Sequence, residues 1–348
     1  MTGRGTADSG TVGSGPRTVV VLGASGFLGS AVTEVLARRP VRLRAVGRHA
    51  EPRGPGRGAA RFEARSADLS APGELAGLVA DADVVVHLVA HTDGGWRSAE
   101  RAESAAAAER VNVGLAEDLV AVFGRERRPG PPPVVLFAGT TSQSGPTYGR
   151  PVDGTERDRP LSAYCAQKLR AEQVLKQATR DGLVRAVSLR LPTLYGLALR
   201  PGSERGVVAA MTRRALARQP LTLWNDGTVH RDLLHVKDAA AAFAAALDHA
   251  DALAGRHWPV GTGESVALAE LFTLISWTVA EHTGEHSVPV RTEAPPDGAV
   301  GADQESVRVD PSAFHDMTGW RHAMRPRPGV RRTVEALVAR EAPTSSLP

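Results

Sequence analysis

The sequence predicts an α/β fold, a doubly wound parallel sheet with helices on both faces and a smaller C-terminal substrate-binding region. Three observations carry it. Short β-branched runs alternate with amphipathic helical stretches as far as residue 191, a glycine-rich turn joins the first strand to the first helix, and the alternation breaks after residue 192.

Residues 18–22 (TVVVL) are an apolar run ending at a glycine, the pattern of a buried strand. Apolar residues then recur at Phe27, Ala31, Val35 and Leu36, and the helix they predict stops at Pro40. A second strand spans 41–46, a Pro/Gly/Arg-rich loop 51–58, and a weak third strand 61–64. Residues 75–79 are helical and 83–88 (DVVVHL) form another buried strand. One long amphipathic helix is expected over 105–123, and the PGPPP run at 129–133 separates it from strand 134–137. Helix 162–180 and strand 186–190 complete the series. Strands alternating with helices imply right-handed crossovers and a parallel sheet covered on both faces.

The chain has 348 residues, of which 42% are hydrophobic, enough for one large core or two modest ones. The formal net charge of +4 comes almost wholly from arginines scattered among acids, with lysine only at 168, 176 and 237. That pattern lacks the dense basic block of a nucleic-acid partner and leaves acidic small molecules as the attractive ligands. No apolar segment is long enough to span a membrane. Cys165 is the single cysteine, which excludes an internal disulfide, fits a reducing cytoplasm, and cannot build a structural zinc site. The 11 histidines show no metal-ligand spacing, so no metal is implied. Residues 1–16 are Gly/Ser/Thr-rich with no apolar run, the composition of a disordered tail rather than a secretory signal; 341–348 read as a second tail.

Gly23-Ala24-Ser25-Gly26-Phe27-Leu28-Gly29 follows the first strand directly and opens the first helix. Glycines let the backbone turn tightly and approach a pyrophosphate, and the helix N-terminus offers N–H groups to the anion. In this strand–loop–helix context the pattern implies a dinucleotide site and a Rossmann-type sheet. The second strand ends Gly47-Arg48-His49 with no acid before Glu51. An acid there would bind a ribose 2′-hydroxyl and an arginine a 2′-phosphate, so NADP(H) is expected in preference to NAD(H). Asp68 and Leu69, after the third strand, suit a site beside the adenine; Asp68 also reads as a helix N-terminal acid.

Tyr164 and Lys168 in YCAQK stand one helical turn apart on one face. In a chain with so few tyrosines and lysines this spacing rarely arises by chance. A nearby ammonium and an oxidised nicotinamide both favour phenolate, bringing a tyrosine toward its working range. A hydroxyl donor should sit at the end of the preceding strand, where Thr140, Thr141 and Ser142 are all available.

In order, GASGFLG, HLVA at 87–90, the hydroxyl cluster at 140–142, YCAQK, RLPTLYG at 190–196 and RDLLHVKD at 231–238 resemble the extended short-chain dehydrogenases/reductases, the NAD-dependent epimerase/dehydratase family. The likeness covers about 18–340 and places Thr140 at that family's catalytic Ser/Thr position. It implies that Leu88, Ala90 and Pro192 line the cofactor with Ser25, Gly26, Phe27 and Leu28, and that Tyr164 and Lys168 serve both cofactor and catalysis. It further implies substrate contacts from His91, Thr141, Ser142, Thr193, Trp224 and Arg231. Arg231 matches a diphosphate-binding arginine; a salt bridge to Asp232 or Asp238 is its structural alternative. More narrowly, VVVLGASGFLGSAV, VVVHLVAHT, FAGTTSQ and WNDGTVHRDLLHV resemble actinobacterial NDP-hexose 4-ketoreductases.

Two departures matter. Thr141-Ser142 replace the Asp-Glu pair of 4,6-dehydratases, which argues against dehydration, and Thr193 replaces a common asparagine that helps hold diphosphate. The resemblance therefore implies reduction of the C4 ketone of a dTDP-4-keto-6-deoxyhexose, in deoxysugar biosynthesis for glycosylated natural products. A sugar-nucleotide 4-epimerase with tightly held NAD is the competing enzyme reading, and a redox-sensing NADP-binding regulator the reading from another class. The expected division is a Rossmann domain over 17–191 with return elements near 229–270, and a substrate-binding region over 192–228 and 271–340. Helices flanking the sheet could pair into a homodimer.

Overall fold

The computed structural model describes residues 16–48, 58–71, 73–91, 102–200, 202, 204–224, 226–294 and 305–341. Most of the two expected tails and of the 51–58 loop lies outside the described residues. Seven parallel strands form the main sheet: β1 (Thr18–Leu22), β2 (Arg42–Gly47), β3 (Arg61–Ser66), β4 (Val84–His87), β5 (Val134–Thr140), β6 (Arg185–Leu191) and β10 (His257–Pro259). Their order is β10-β6-β5-β4-β1-β2-β3, so the sheet winds outward in both directions from β1 and β4. In such sheets the crevice at the strands' carboxyl ends, where the winding reverses, is where ligands bind.

Period-2 alternation buries both faces of the sheet. On β1, Val19 and Val21 join the core under α1 (Phe27–Leu36) and α7 (Val236–Asp248). Val20 and Leu22 join the core under α2 (Glu74–Val79), α4 (Leu115–Arg125) and α5 (Ala163–Arg180). A third core lies in the C-terminal region. It gathers Tyr195 of β7 (Thr193–Tyr195), Val208 of α6 (Val207–Leu216), Leu221 of β8 (Leu221–Trp224), Leu233 of β9 (His230–His235) and Ile275 of α9 (Leu268–Thr283). Two small sheets, β11-β9-β7 and β12-β8, frame it, with β11 at Ser265–Ala267 and β12 at Val290–Glu293. Among the described residues no helix is long and apolar enough to cross a membrane.

Two elements differ from the expected ones in ways that shape the site. Strand β5 continues past Phe137 through Ala138, Gly139 and Thr140, because each still pairs with β6. Backbone ladder bonds, which side-chain pattern does not report, set that boundary. The single helix expected over 105–123 is instead α3 (Ala102–Glu109), a π-helical turn at Arg110–Gly114, and α4. The π turn inserts an extra residue and turns Asn112 inward, where it is 1% exposed.

Candidate active site

The glycine loop comes first in the chain and is built for close approach. Gly23 adopts φ +85°, and a Cβ there would press on the Leu88–Val89 backbone. At Gly29 a Cβ would strike the Gly23 carbonyl, so helix and loop fit only without a side chain. Gly26 caps α1 with no side-chain hydrogen bond, which leaves the first-turn N–H groups of this helix for an anion. The loop is latched to β2 through Val46 O, which accepts from Gly23 N at 3.0 Å and Ala24 N at 2.9 Å. Ser25 is exposed, whereas Phe27 and Leu28 are half-buried against the core. These residues fit a dinucleotide pyrophosphate.

Around this loop the other expected cofactor groups are unevenly placed. Arg48 stands exposed just after β2, its carbonyl accepting from Ser66 Oγ at 3.3 Å. Asp68 accepts from Ser70 N at 3.0 Å and Ser70 Oγ at 2.7 Å, a local turn. Leu69 is buried in the core beside α4, which leaves its backbone for any ligand. Leu88 and Ala90 continue β4 into the crevice, followed by His91. Asn112 clamps that segment: its Oδ1 accepts from His91 N at 2.8 Å and its Nδ2 donates to His91 O at 3.3 Å. Gln167 Oε1 accepts from the same Nδ2 at 2.8 Å, tying the clamp to α5.

Helix α5 opens at Ser162, whose hydroxyl accepts from Cys165 N at 3.2 Å, a conventional N-cap. Tyr164 therefore sits in the first turn and Lys168 one turn on. Burial dominates both. It raises the Tyr164 phenol above its ordinary value and brings Lys168 down to about 7. The expected depression of Tyr164 by an ammonium is therefore absent in the chain alone, where desolvation sets the direction of the shift. Lys168 Nζ lies 4.4 Å from the centroid of the Phe137 ring. His87 meets the same ring edge-on at 5.5 Å between centroids, fully buried, with neither ring nitrogen hydrogen-bonded among the described residues. Burial and the Lys168 charge bring His87 down to about 3, so it is neutral.

At the end of β5 the three hydroxyl candidates separate. Thr141 is buried and donates to Leu191 O at 3.4 Å, which occupies it structurally. Ser142 uses its backbone N–H to donate to Thr140 Oγ1 at 3.3 Å. Thr140 is half-buried, and a hydroxyl that accepts from a backbone N–H keeps its own proton to give elsewhere. Thr141 is thereby taken up structurally, while Thr140 retains a proton to donate. The arrangement suits proton transfer at a carbonyl or hydroxyl oxygen beside a dinucleotide.

The remaining cofactor candidate, Pro192, and the remaining substrate candidates stand on the C-terminal side. Pro192, half-buried, links β6 to β7, which opens at the half-buried Thr193. Trp224 ends β8, also half-buried. Arg231 on β9 donates from one guanidinium nitrogen to His230 O at 3.0 Å and Glu305 O at 2.5 Å. Asp232 and Asp238, its structural alternatives, are engaged otherwise: Asp232 by Thr262 and Gly263, Asp238 by the N–H groups of Ala323 and Met324.

Sequence reasoning missed Asn112, His87, Gln143 and the Glu172–Arg190 pair. Polar residues inside strand and helix patterns were the available signal: His87 in VVVHL, Asn112 in a helix, and Arg190 in a β6 otherwise apolar at its end.

The family model for the NAD dependent epimerase/dehydratase family matches residues 19–261, and the chain belongs to that family. It is similar to the dTDP-L-rhamnose 4-epimerase of Burkholderia thailandensis, 26% identical over 302 residues, 75% of this chain and 80% of that protein. It is also similar to the UDP-glucose 4-epimerase of Mycolicibacterium smegmatis, 28% identical over 199 residues, 56% of this chain; the match spans only 60% of that relative's length. Among solved structures, the UDP-glucose 4-epimerase of Thermus thermophilus in complex with NAD has a TM-score of 0.73 at 25% identity, covering 93% of this chain and 99% of that one.

These likenesses correct two expectations. The reading as a dTDP-hexose 4-ketoreductase gives way, because the relatives are predominantly sugar-nucleotide 4-epimerases. One tyrosine–lysine pair and one strand-end hydroxyl serve hydride transfer in either direction, so the motifs that carry the chemistry do not separate a net reductase from an epimerase. The narrower likeness to actinobacterial ketoreductases widens accordingly to the family. The NADP(H) preference gives way to NAD, the dinucleotide held by similar 4-epimerase structures. The preference rested on the missing acid at the end of β2 together with Arg48, and neither an absent acid nor one exposed arginine at a strand end by itself makes a 2′-phosphate site.

Proposed function

We propose that this member of the NAD-dependent epimerase/dehydratase family inverts C4 of a pyrimidine nucleoside-diphosphate hexose, using NAD that it retains between turnovers. The observation that supports the reading is the packing of α5, which carries Tyr164 and Lys168, against β5, which ends at Thr140, in the same sheet whose β1 ends in the side-chain-free cradle of Gly23, Gly26 and Gly29. The cradle and the N-terminus of α1 would hold the pyrophosphate, and Lys168 the nicotinamide ribose. Bound there, NAD supplies a hydride acceptor that later returns the hydride to the opposite face of the sugar.

Tyr164 takes the proton of the C4 hydroxyl as the C–H bond breaks, and gives it back after the ketone has turned over. Burial alone holds Tyr164 as phenol, so positive charge in the cavity must lower it before it can accept that proton. Thr140 donates a hydrogen bond to the same oxygen, favouring the charge that develops on it. Arg231, on β9, would face the diphosphate, in the manner of a guanidinium gripping two phosphate oxygens. UDP- and dTDP-hexoses are both substrates of similar enzymes and differ at the base by one methyl group, so both belong in the test.

The experiment is to purify the chain, extract and identify its dinucleotide, and follow UDP-glucose and dTDP-L-rhamnose by NMR with no cofactor added. The expected result is copurified NAD and appearance of the C4 epimer with no net reduction of the dinucleotide. Stoichiometric consumption of an added reduced dinucleotide, with no C4 inversion, would overturn the reading.

A further inference from the structure

Gln143 closes the short 3-10 turn Thr141–Gln143 that follows β5, and its side chain is wholly buried. Both ends of its carboxamide are engaged. Oε1 accepts from Thr140 N at 2.8 Å, and Nε2 donates to Glu172 Oε2 at 3.0 Å. The assignment of the two ends is forced, since a backbone N–H can only donate and a carboxylate only accept. Glu172 is itself immobilised by Arg190, by Ser188 Oγ at 2.8 Å and by Lys176 Nζ at 2.7 Å. Gly139 makes room for the arrangement, because a Cβ there would lie 2.9 Å from Gln143 Oε1.

We propose that Gln143 is a positioning residue that sets the distance between Thr140 and the tyrosine–lysine pair. Glu172 follows Lys168 by one turn on α5, and Lys168 follows Tyr164 by one turn. A single side chain therefore ties the end of β5, which carries the Thr140 hydroxyl, to the helix that carries the other two groups. Gln143 holds the Thr140 backbone and Ser142 N engages its Oγ1, so the position of the hydroxyl oxygen is held from two sides. A residue that only capped the turn would need neither the buried carboxylate nor the space at Gly139. This inference rests on the function proposed above for Thr140.

The test uses Gln143→Met, which keeps length and volume but removes both hydrogen bonds, in the wild-type and Thr140→Ala backgrounds. A misplacement of this kind should lower kcat by about tenfold to a hundredfold. KM for the nucleotide sugar and the NAD content should stay within about twofold, since neither ligand touches Gln143. In the Thr140→Ala background the second substitution should add nothing, because its effect runs through the missing hydroxyl. Unchanged kcat in Gln143→Met, or losses that multiply in the double variant, would overturn the proposal. Hydrogen exchange read by mass spectrometry over 138–142 provides a readout independent of activity: the Thr140 amide should exchange at least about tenfold faster in Gln143→Met. Faster exchange in a protein that inverts no nucleotide sugar would support the tether while overturning the proposed function; unchanged exchange would overturn the tether itself. Should Gln143→Met fail to fold, Gln143→Glu provides the same cycle read against pH: its protonated carboxyl can still donate to Glu172 and accept from Thr140, whereas the ionised one cannot donate, so kcat should fall relative to wild type as pH rises, and a constant ratio to wild type across pH would overturn the proposal.

Discussion

Lys168 and Glu172 stand one turn apart on α5, at 2% and 1% exposure, yet their surroundings are opposite. Glu172 accepts from Gln143, Lys176, Ser188 and two nitrogens of Arg190, and Arg190 in turn grips Asp158 at 2.6 and 3.0 Å. Two acids and two bases cancel, and although burial raises it, the Glu172 carboxyl is held well below its ordinary range by His257, Arg190 and Lys176. Lys168 faces an aromatic ring and a neutral histidine instead, and burial drives it toward the uncharged amine. One cluster spends its polarity on rigidity. The other keeps its polar groups unmatched, which is the condition for them to act on a ligand.

The largest expected effect comes from opening the matched cluster. Arg190→Met strands the buried Glu172 carboxylate and the half-buried Asp158, and should destabilise by about 3–5 kcal/mol in urea denaturation. Lys168→Met, which replaces an unmatched amine by an apolar chain, should leave stability unchanged or raise it. Equal losses from both would erase the distinction between the clusters.

Turnover should show the reverse pattern. Tyr164→Phe loses only a hydroxyl, and epimerisation should fall at least about a hundredfold while the midpoint of unfolding holds. Thr140→Ala should lower turnover by about tenfold to a thousandfold, the range of a lost oxyanion donor. Thr141→Ala should act on stability instead, by about 1 kcal/mol, since its hydroxyl is engaged by Leu191 O. Damage to turnover from Thr141→Ala with a silent Thr140→Ala would move the donor by one residue.

The two clusters should also respond to pH in different windows. The folded chain holds Lys168 at about 7 against an ordinary 10.5, so the unfolded state binds the extra proton in between. Stability should therefore rise with pH from about 7 to about 10, and Lys168→Met should flatten that rise. Glu172 is shifted the other way for a carboxyl. Its contribution is present above the unfolded value of 4.5 and is lost as pH falls below it. Thermal denaturation across the pH range checks both signs. The smallest effect belongs to Arg48→Ala, which should leave the copurified NAD within about twofold of wild type, since NAD carries no 2′-phosphate for that guanidinium to hold.

Much of this architecture is legible in the residues alone. TVVVL, DVVVHL and the glycine loop announce a parallel sheet with a phosphate cradle, because strand burial on both faces and close backbone approach each demand a narrow set of residue types. YCAQK was readable for the same reason: four residues place two side chains on one helix face wherever the helix lies. The cofactor preference is overturned because a missing acid and one arginine at the end of β2 do not stand for a pocket. Asn112 and Gln143 were passed over because their partners, His91 and Glu172, are distant in sequence, and nothing local marks an amide as a clamp.

By itself, then, the sequence determined the sheet, its parallel winding, the dinucleotide loop and the tyrosine–lysine pair, all of which follow from periodicity and spacing along one element. Only the tertiary structure decided that the Thr141 hydroxyl is taken up by Leu191 O, how far β5 extends, where a helix takes a π turn, and that Tyr164 and Lys168 are pushed toward their neutral forms. Those outcomes depend on which distant groups share a buried volume, and desolvation and hydrogen bonding are set by that company rather than by the residue's own place in the chain.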